Sequence, residues 1–144
     1  IAISKNIGSI VIGDFKAIKQ ESNLGKRNNQ NFVSIPYNIF KRKLKSKCEQ
    51  LGLTYHLQDE SYTSKCSYLD NEPIQKLTSY HGKRVKRGLF KSSKGILWNA
   101  DVNGSANILT KFLISNGLKL PQVISNRYGC VNHPKRLKLN DLVA

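Results

Sequence analysis

A strand–helix–strand succession in the first 60 residues constrains the fold of this chain most strongly. The short apolar run GSIVIGDF (8–15) predicts a buried strand. Over residues 35–51 apolar side chains recur every three or four positions, which predicts a helix that ends at Gly52. The segment LTYHLQDE (53–60) alternates apolar and polar residues, as a second strand does. Two strands joined by a helix run parallel, so we expect an α/β fold in which these strands are neighbours.

The ends of both predicted strands carry acids. Asp14 closes the first strand and Glu60 closes the second, whereas Asp59 should point to the face opposite Glu60. The carboxyl ends of parallel strands lie at one edge of a sheet, and ligands bind at that edge in open α/β folds. We therefore expect Asp14 and Glu60 to emerge at the same edge.

The remainder of the chain is less regular. Residues 61–87 are mostly polar and predict an insertion or a long loop. Residues 88–98 predict a hairpin, and apolar spacings over 101–116 predict a helix. The basic, proline-containing segment 117–144 predicts an irregular tail after a domain that covers residues 1–116.

The chain is strongly basic, with 24 Lys and Arg against nine Asp and Glu and a formal net charge of +15. This excess indicates a polyanionic partner, namely nucleic acid. No apolar run reaches the roughly 18–20 residues that span a bilayer, so we expect no membrane partner. The residues predicted to contact nucleic acid are Lys26, Arg27, Lys41, Arg42, Lys83, Arg84, Lys86 and Arg87.

The cysteines and the first residues predict the cellular compartment of the protein and how the chain relates to a longer sequence. Three cysteines, odd in number and far apart, indicate a reducing cytosol, and the first ten residues do not form a signal peptide. We expect a cytoplasmic protein, associated with the nucleoid of a prokaryote. The chain starts at Ile1, and its opening residues read as the interior of a sequence. We therefore expect a C-terminal piece of a longer protein.

The stretch WNADVNGSANIL (98–109) places Asp101 among small and amide side chains, just before an apolar helical run. Two roles fit Asp101: an N-cap that accepts backbone N–H groups, or a ligand of a divalent cation in an enzyme that cuts nucleic acid. Metal-dependent cleavage of a phosphodiester needs clustered carboxylates. The candidates for such a cluster are Asp14, Glu60 and Asp101.

A zinc site is not expected. A zinc ribbon uses two Cys-x-x-Cys pairs, and the sequence contains no such pair. Cys66 has no second sulfur at that spacing, and His81 alone does not complete four ligands.

Four stretches, taken in order, resemble the TnpB (OrfB) proteins of insertion sequences, which are relatives of the type V CRISPR effector nucleases. IGSIVIGDFKAIKQ (7–20) is similar to the second RuvC strand of that family, and residues 29–53 are similar to the helix after it. ESYTSKCSYLD (60–70) is similar to the stretch that leads into the family's zinc-ribbon region. Residues 87–109 are similar to the closing segment, with its Asp-x-Asn-small-small-x-Asn-Ile pattern.

This resemblance implies an RNase H-like (RuvC) α/β fold, a mixed sheet with flanking helices, of which the chain contains a part. It implies a transposon-encoded endonuclease that is guided by RNA and hydrolyses DNA with Mg²⁺ or Mn²⁺. Asp101 matches the third catalytic acid. In a similar branch of the family the second acid precedes the Tyr-Thr-Ser stretch, which maps it to Glu60 and leaves Asp14 as an accessory or fallback acid.

Two departures from the family follow. The ribbon cysteines are missing, so the resemblance implies a zinc-free insertion at 61–87 that folds around Tyr68, Leu69, Leu77 and Tyr80. The family's first catalytic Asp would lie upstream of Ile1. We therefore expect that the 144-residue chain does not cut DNA by itself.

The alternative is a catalytically inactive remnant that only binds nucleic acid. The retained Glu60 and Asp101 favour an active enzyme, whereas the missing first acid leaves the remnant open. A third interpretation is an ordinary RNA-binding protein, such as a ribosomal component. It explains the positive charge but not the presence of both NADVNGSANI (99–108) and ESYTSK (60–65) in one chain.

Overall fold

The computed structural model describes residues 6–14 and 37–118. The chain divides into two compact units, a first unit Ile1–Asp59 and a second unit Glu60–Ala144. The predicted loop at 16–34 and most of the predicted tail lie outside the described residues.

The first unit contains the predicted strand–helix–strand succession. Strand β1 spans Ser9–Asp14, helix α1 spans Tyr37–Gln50 and strand β2 spans Thr54–Asp59. The two strands pair in parallel, and the register runs from Ser9 opposite Thr54 to Asp14 opposite Asp59. The sequence-based prediction of two neighbouring parallel strands is therefore confirmed, and Glu60 directly follows the carboxyl end of β2.

Helix α1 ends where the sequence predicts. Gly52 has φ +66°, a left-handed conformation that glycine adopts without steric cost. The N–H of Leu53 donates to Cys48 O at 2.9 Å, and the N–H of Gly52 donates to Glu49 O at 3.2 Å. These two bonds satisfy the last carbonyls of the helix and turn the chain into β2.

The second unit contains a three-stranded antiparallel sheet in the order β3-β4-β5. Its strands are β3 Lys83–Lys86, β4 Leu89–Lys91 and β5 Leu97–Asn99. The predicted hairpin corresponds to β4 and β5 and is confirmed. Segment 61–87 was predicted to be an insertion or a long loop, and strand β3 was not predicted within it. All four residues of β3 are exposed and therefore show no apolar alternation.

The core of the second unit is small and aromatic. Phe90, Trp98 and Ala100 are buried, and the ring of Tyr68 stacks on Trp98 with ring centroids 6.0 Å apart. Leu69 packs against the same cluster. Tyr68 and Leu69 were predicted to form a core within segment 61–87. In the structure they pack instead against Phe90, Trp98 and Ala100, which lie outside that segment.

The other two residues predicted for this core, Leu77 and Tyr80, contact each other instead. The N–H of Leu77 donates to the Tyr80 hydroxyl at 3.3 Å, and both residues are half-buried.

Helix α2, Ala100–Ser115, follows β5 without a loop. Its side chains Val102 and Ala106, one turn apart, pack on the aromatic cluster. Among the described residues, neither α1 nor α2 has the length and apolar character needed to span a membrane.

In coarse terms the predicted α/β class is confirmed: the described residues form a small structure with one parallel pair, one antiparallel sheet and two helices. The RNase H-like arrangement stays a prediction, because these strands form two separate sheets rather than one mixed sheet.

Candidate functional site

Asp101 lies in the first turn of α2, and its side chain is 85% exposed. The cap of this helix is Asn99, whose side-chain oxygen accepts the N–H groups of Asp101 at 2.8 Å and Val102 at 3.0 Å. The reading of Asp101 as the N-cap is therefore wrong, because Asn99 supplies the capping oxygen two residues earlier. The Asp101 carboxylate is left at the surface of the helix N-terminus, where negative charge is stabilised.

A cation lies beside this carboxylate. An Arg84 guanidinium nitrogen is 4.0 Å from Asp101 Oδ1, and the two side chains are 53% and 85% exposed. A pair of this exposure adds little to folding stability. Its consequence is local, since it places a positive side chain of β3 next to a candidate metal ligand.

Two asparagines of the same helix are almost fully buried. Asn103 and Asn107 are one turn apart, with 0% and 1% exposure. The Asn103 amide donates to Cys66 O at 2.9 Å, and its oxygen accepts the N–H of Tyr68 at 3.1 Å. Both residues belong to the motif at 99–108, but no role was predicted for them. Two amides at i and i+4 within an apolar helical run are the signal that could have identified them.

Glu60 belongs to the same unit and is half-buried. Its carbonyl oxygen accepts two hydrogen bonds from Thr63, one from the N–H at 3.1 Å and one from the hydroxyl at 2.7 Å. The backbone that carries the Glu60 side chain is thus closed into a tight turn.

A buried carboxylate organises the segment after this turn. Glu72 is 4% exposed and accepts the N–H of Ser67 and the N–H of His81, each at 2.6 Å. It joins backbone positions that are 14 residues apart in sequence. This role was not predicted, because a glutamate within a polar segment is usually a solvated side chain.

Cys66, next to this carboxylate, is a buried free thiol. Its Sγ donates to Pro73 O at 3.3 Å. Burial raises the pKa of this thiol, although the hydrogen bond with the Gln75 backbone opposes that effect. The thiol therefore stays protonated near neutral pH and acts as a hydrogen-bond donor.

Asp70 ties the β4–β5 turn to the same segment. Its carboxylate accepts the N–H of Ser93 at 2.9 Å and the Ser93 hydroxyl at 2.6 Å. Burial alone would raise the pKa of Asp70, but the two hydrogen bonds from Ser93 oppose burial, and the pKa of Asp70 lies below its ordinary value.

In the first unit, Asp14 is 8% exposed, and its carboxylate is bound by the Lys41 ammonium at 2.9 Å. Lys41 projects from α1, so this ion pair connects the helix to the end of β1. Burial raises the pKa of the neighbouring Tyr55 hydroxyl, and the charge of Lys41 opposes that shift.

The residues predicted to contact nucleic acid are distributed unevenly. Arg42 is exposed on α1, whereas Lys41 is half-buried in its ion pair. Lys26 and Arg27 lie outside the described residues. The remaining four predicted contacts lie together in the exposed segment 83–87, here named the basic strand: Lys83, Arg84, Lys86 and Arg87.

The donor chemistry of Glu60 and Asp101 fits a hard divalent cation, since Mg²⁺ prefers carboxylate oxygens. Two carboxylates do not fill an octahedral shell, and within residues 6–14 and 37–118 no group of three or more His, Cys, Asp and Glu side chains is arranged to hold a metal ion. The catalytic residues, the Mg²⁺ and the absence of zinc all stay predictions.

The clustered, exposed charges of the basic strand are a feature that nucleic-acid-binding proteins share. A family model described as Cas12f1-like, TNB domain, matches residues 37–108, which is half of the chain. The chain therefore belongs to the Cas12f1-like TNB-domain family and is related to nucleases of the TnpB and Cas12 type. No curated protein matches the chain.

Proposed function

We propose that this chain is the C-terminal part of a transposon-encoded, RNA-guided DNA endonuclease with an RNase H-like (RuvC) catalytic domain. Asp101 and Glu60 are its metal-binding acids, and DNA and a guide RNA are its partners in the cytoplasm. The observation that carries the proposal is the family match over residues 37–108, which includes both acids.

The placement of Asp101 supports a ligand role. Asn99 already caps α2, so the Asp101 carboxylate is not consumed by the backbone N–H groups that a capping residue would bind. Its 85% exposure leaves its oxygens accessible to a metal ion and to a phosphodiester.

Glu60 is the better second acid. It lies in the same compact unit as Asp101, on a turn closed by Thr63. Asp14 is bound at 2.9 Å by Lys41, and that charge pair gives Asp14 a structural role in the first unit. A metal ion at Asp14 would have to displace the Lys41 ammonium that already neutralises this buried carboxylate.

A bound Mg²⁺ would supply charge stabilisation for phosphodiester hydrolysis. The chain's own contribution is positional: Glu60 and Asp101 would hold the ion, and the basic strand would bind phosphates. Arg84 is 4.0 Å from Asp101, so a phosphate held by Arg84 would lie beside the Asp101 carboxylate.

The test is a cleavage assay on the full-length protein with RNA from the transposon end. It compares wild type with Glu60→Ala, Asp101→Ala and Asp14→Ala. Loss of a metal ligand removes several kcal/mol of transition-state stabilisation, so we expect Glu60→Ala and Asp101→Ala to cut at least about 100-fold more slowly. We expect Asp14→Ala to cut at a rate much closer to wild type.

Normal cleavage by Asp101→Ala would contradict the proposal. Normal cleavage by Glu60→Ala together with loss in Asp14→Ala would reassign the second acid. An uncut substrate that is nevertheless bound by every variant would identify the protein as an inactive nucleic-acid-binding remnant.

A further inference from the structure

Asn107 occupies a place from which it can control the geometry of the candidate metal site without touching it. We propose that Asn107 is a positioning residue that holds the backbone of Glu60 in a fixed place relative to the helix that carries Asp101. This inference rests on the proposed function, since metal binding gives the fixed spacing its purpose.

The first step is the buried amide itself. Asn107 is 1% exposed, and its Nδ2 donates to Thr63 O at 2.9 Å and to Cys66 O at 2.7 Å. These carbonyls lie 44 and 41 residues away in sequence. One side chain therefore joins the middle of α2 to the segment that follows Glu60, and both of its amide protons are used.

The second step leads from Thr63 to Glu60. Thr63 is 3% exposed, and its N–H and hydroxyl both donate to the Glu60 carbonyl oxygen. Thr63 is thus held by Asn107 through its carbonyl and holds Glu60 through its two donors. Thr63 is therefore the one residue through which hydrogen bonds link the Asn107 amide to the backbone of Glu60.

The third step leads from Asn107 to Asp101. The two residues are six positions apart on one continuous helix, which is about 9 Å along its axis. A helix is rigid over that distance, so fixing Asn107 fixes Asp101. The backbones of the two acids are therefore connected through Thr63, Asn107 and less than two turns of helix. The carboxylate groups themselves are not part of this connection.

The backbone at the centre of this connection is strained. Tyr62 has φ +65°, a left-handed conformation that costs a residue with a side chain on the order of 1–2 kcal/mol. Such a conformation persists where the surroundings over-determine it. Asn107 supplies that constraint through the neighbouring Thr63 carbonyl, and Asn103 adds a further bond to Cys66 O.

The first experiment measures amide hydrogen exchange in the 144-residue chain, wild type against Asn107→Ala. Losing the bond to Thr63 O should open the turn at Glu60, so we expect the N–H of Thr63 to exchange about tenfold faster. The N–H of Ser92, which donates to Ile96 O at 2.9 Å in the β4–β5 turn, is the internal control and should be unaffected. Equal acceleration of both amides would mean general destabilisation and would overturn the proposal.

Two variants serve as matched controls. Asn116→Ala removes an asparagine from the end of the same helix, where its amide donates to Phe112 O at 2.8 Å and to the Ser115 hydroxyl at 3.4 Å. Phe90→Leu shrinks the core and lowers stability without touching the turn. Neither variant should accelerate exchange at Thr63 relative to Ser92.

The second experiment titrates the same proteins with Mn²⁺ and follows free Mn²⁺ by electron paramagnetic resonance. We expect Glu60→Gln and Asp101→Asn to abolish the tightest binding, and Asn107→Ala to weaken it about tenfold while both ligands are retained. Phe90→Leu and Asn116→Ala should bind as wild type at a temperature where they are folded.

The two experiments separate the outcomes. Unchanged exchange at Thr63 in Asn107→Ala overturns the proposal whatever the metal does, and so does unchanged Mn²⁺ affinity in that variant when the ligand variants have lost theirs. If Glu60→Gln and Asp101→Asn bind Mn²⁺ with the same affinity as wild type, the proposed function fails instead. The exchange data then decide by themselves whether Asn107 holds the Glu60 backbone.

Discussion

The first unit is held by repeated backbone pairing, whereas the second is held by single side chains that hydrogen-bond distant backbone groups. In the first unit, β1 and β2 pair over six consecutive positions in parallel register. In the second, three short strands leave much of the segment 60–82 outside the sheet, and Glu72, Asn103 and Asn107 fix its backbone. Single changes should therefore damage the second unit more than the first.

The largest effect is expected at Glu72. Glu72→Ala leaves the N–H groups of Ser67 and His81 without the carboxylate, and two charge-assisted hydrogen bonds correspond to a loss of about 3 kcal/mol or more. Trp98 is the only tryptophan of the chain and lies in the core of the second unit, so its fluorescence during urea unfolding reports this loss. The control Glu49→Ala changes an exposed carboxylate of α1 and should cost less than about 0.5 kcal/mol. A Glu72→Ala protein as stable as this control would break the comparison.

A smaller effect is expected where the core leaves no room. A Cβ at Gly82 would stand 2.7 Å from Phe90 Cζ and 2.9 Å from the Lys91 carbonyl oxygen, so Gly82→Ala must displace a buried ring or the backbone. Overpacking of this kind costs roughly 1–3 kcal/mol, again measured by Trp98 fluorescence. Gly104→Ala is the matched control, because its Cβ would meet nothing within 4 Å and alanine favours the helix. Equal stability of the two variants would show that Phe90 is not tightly held.

The first unit offers a charge pair for the same comparison. Lys41→Met removes the ammonium group that lies 2.9 Å from the buried Asp14 carboxylate. It should destabilise the β1–β2 pair by about 1–2 kcal/mol, measured by amide exchange along that ladder. Adding Asp14→Asn should recover part of this loss, since it removes the buried charge. Lys45→Met breaks an exposed pair with Glu49 at 3.9 Å and should change almost nothing. A loss in Lys45→Met as large as in Lys41→Met would contradict the role given to Asp14.

The smallest effect concerns pH. The pKa of Asp70 is lowered in the folded protein, so its carboxylate stabilises the second unit above pH 3.8, and this contribution disappears as the pH falls through the lowered pKa. We expect less than about 1 kcal/mol, since Asp70 is only half-buried and solvent screens part of the interaction. Urea unfolding at about pH 6 and pH 3 should show a larger difference for wild type than for Asp70→Asn. An identical pH response in both proteins would contradict the assignment.

The same contrast explains what could be predicted from sequence. Periodic apolar residues and Gly52 predicted the strands and helix of the first unit, because regular elements repeat their pattern. The hairpin and α2 were predicted for the same reason. Strand β3 has only exposed residues, and the bonds made by Glu72 and Asn107 join positions that no periodicity relates. These features depend on the tertiary fold, so the local sequence does not reveal them.

For the candidate site, the sequence predicted the acids but not the hydrogen bonds around them, and the role of these acids stays a prediction. Asp101 was assigned either a cap or a ligand role, and the structure assigns the cap to Asn99. The bonds from Thr63 to the Glu60 carbonyl and from Asn107 to the Thr63 carbonyl were not predicted. The second of them joins positions 44 residues apart, which no local sequence pattern relates. Arg84 was expected to contact phosphate, and its position beside Asp101 adds a reason to test it there.

The central claim is that the second unit presents Asp101 and Glu60 to a divalent metal ion. The most direct test is a crystal of the protein grown with Mn²⁺ and measured for anomalous scattering. The account predicts a peak in contact with carboxylate oxygens of both Asp101 and Glu60, with Arg84 turned away from Asp101. A crystal soaked to saturation with no peak at these acids, or with Mn²⁺ bound at Asp14 instead, would contradict it.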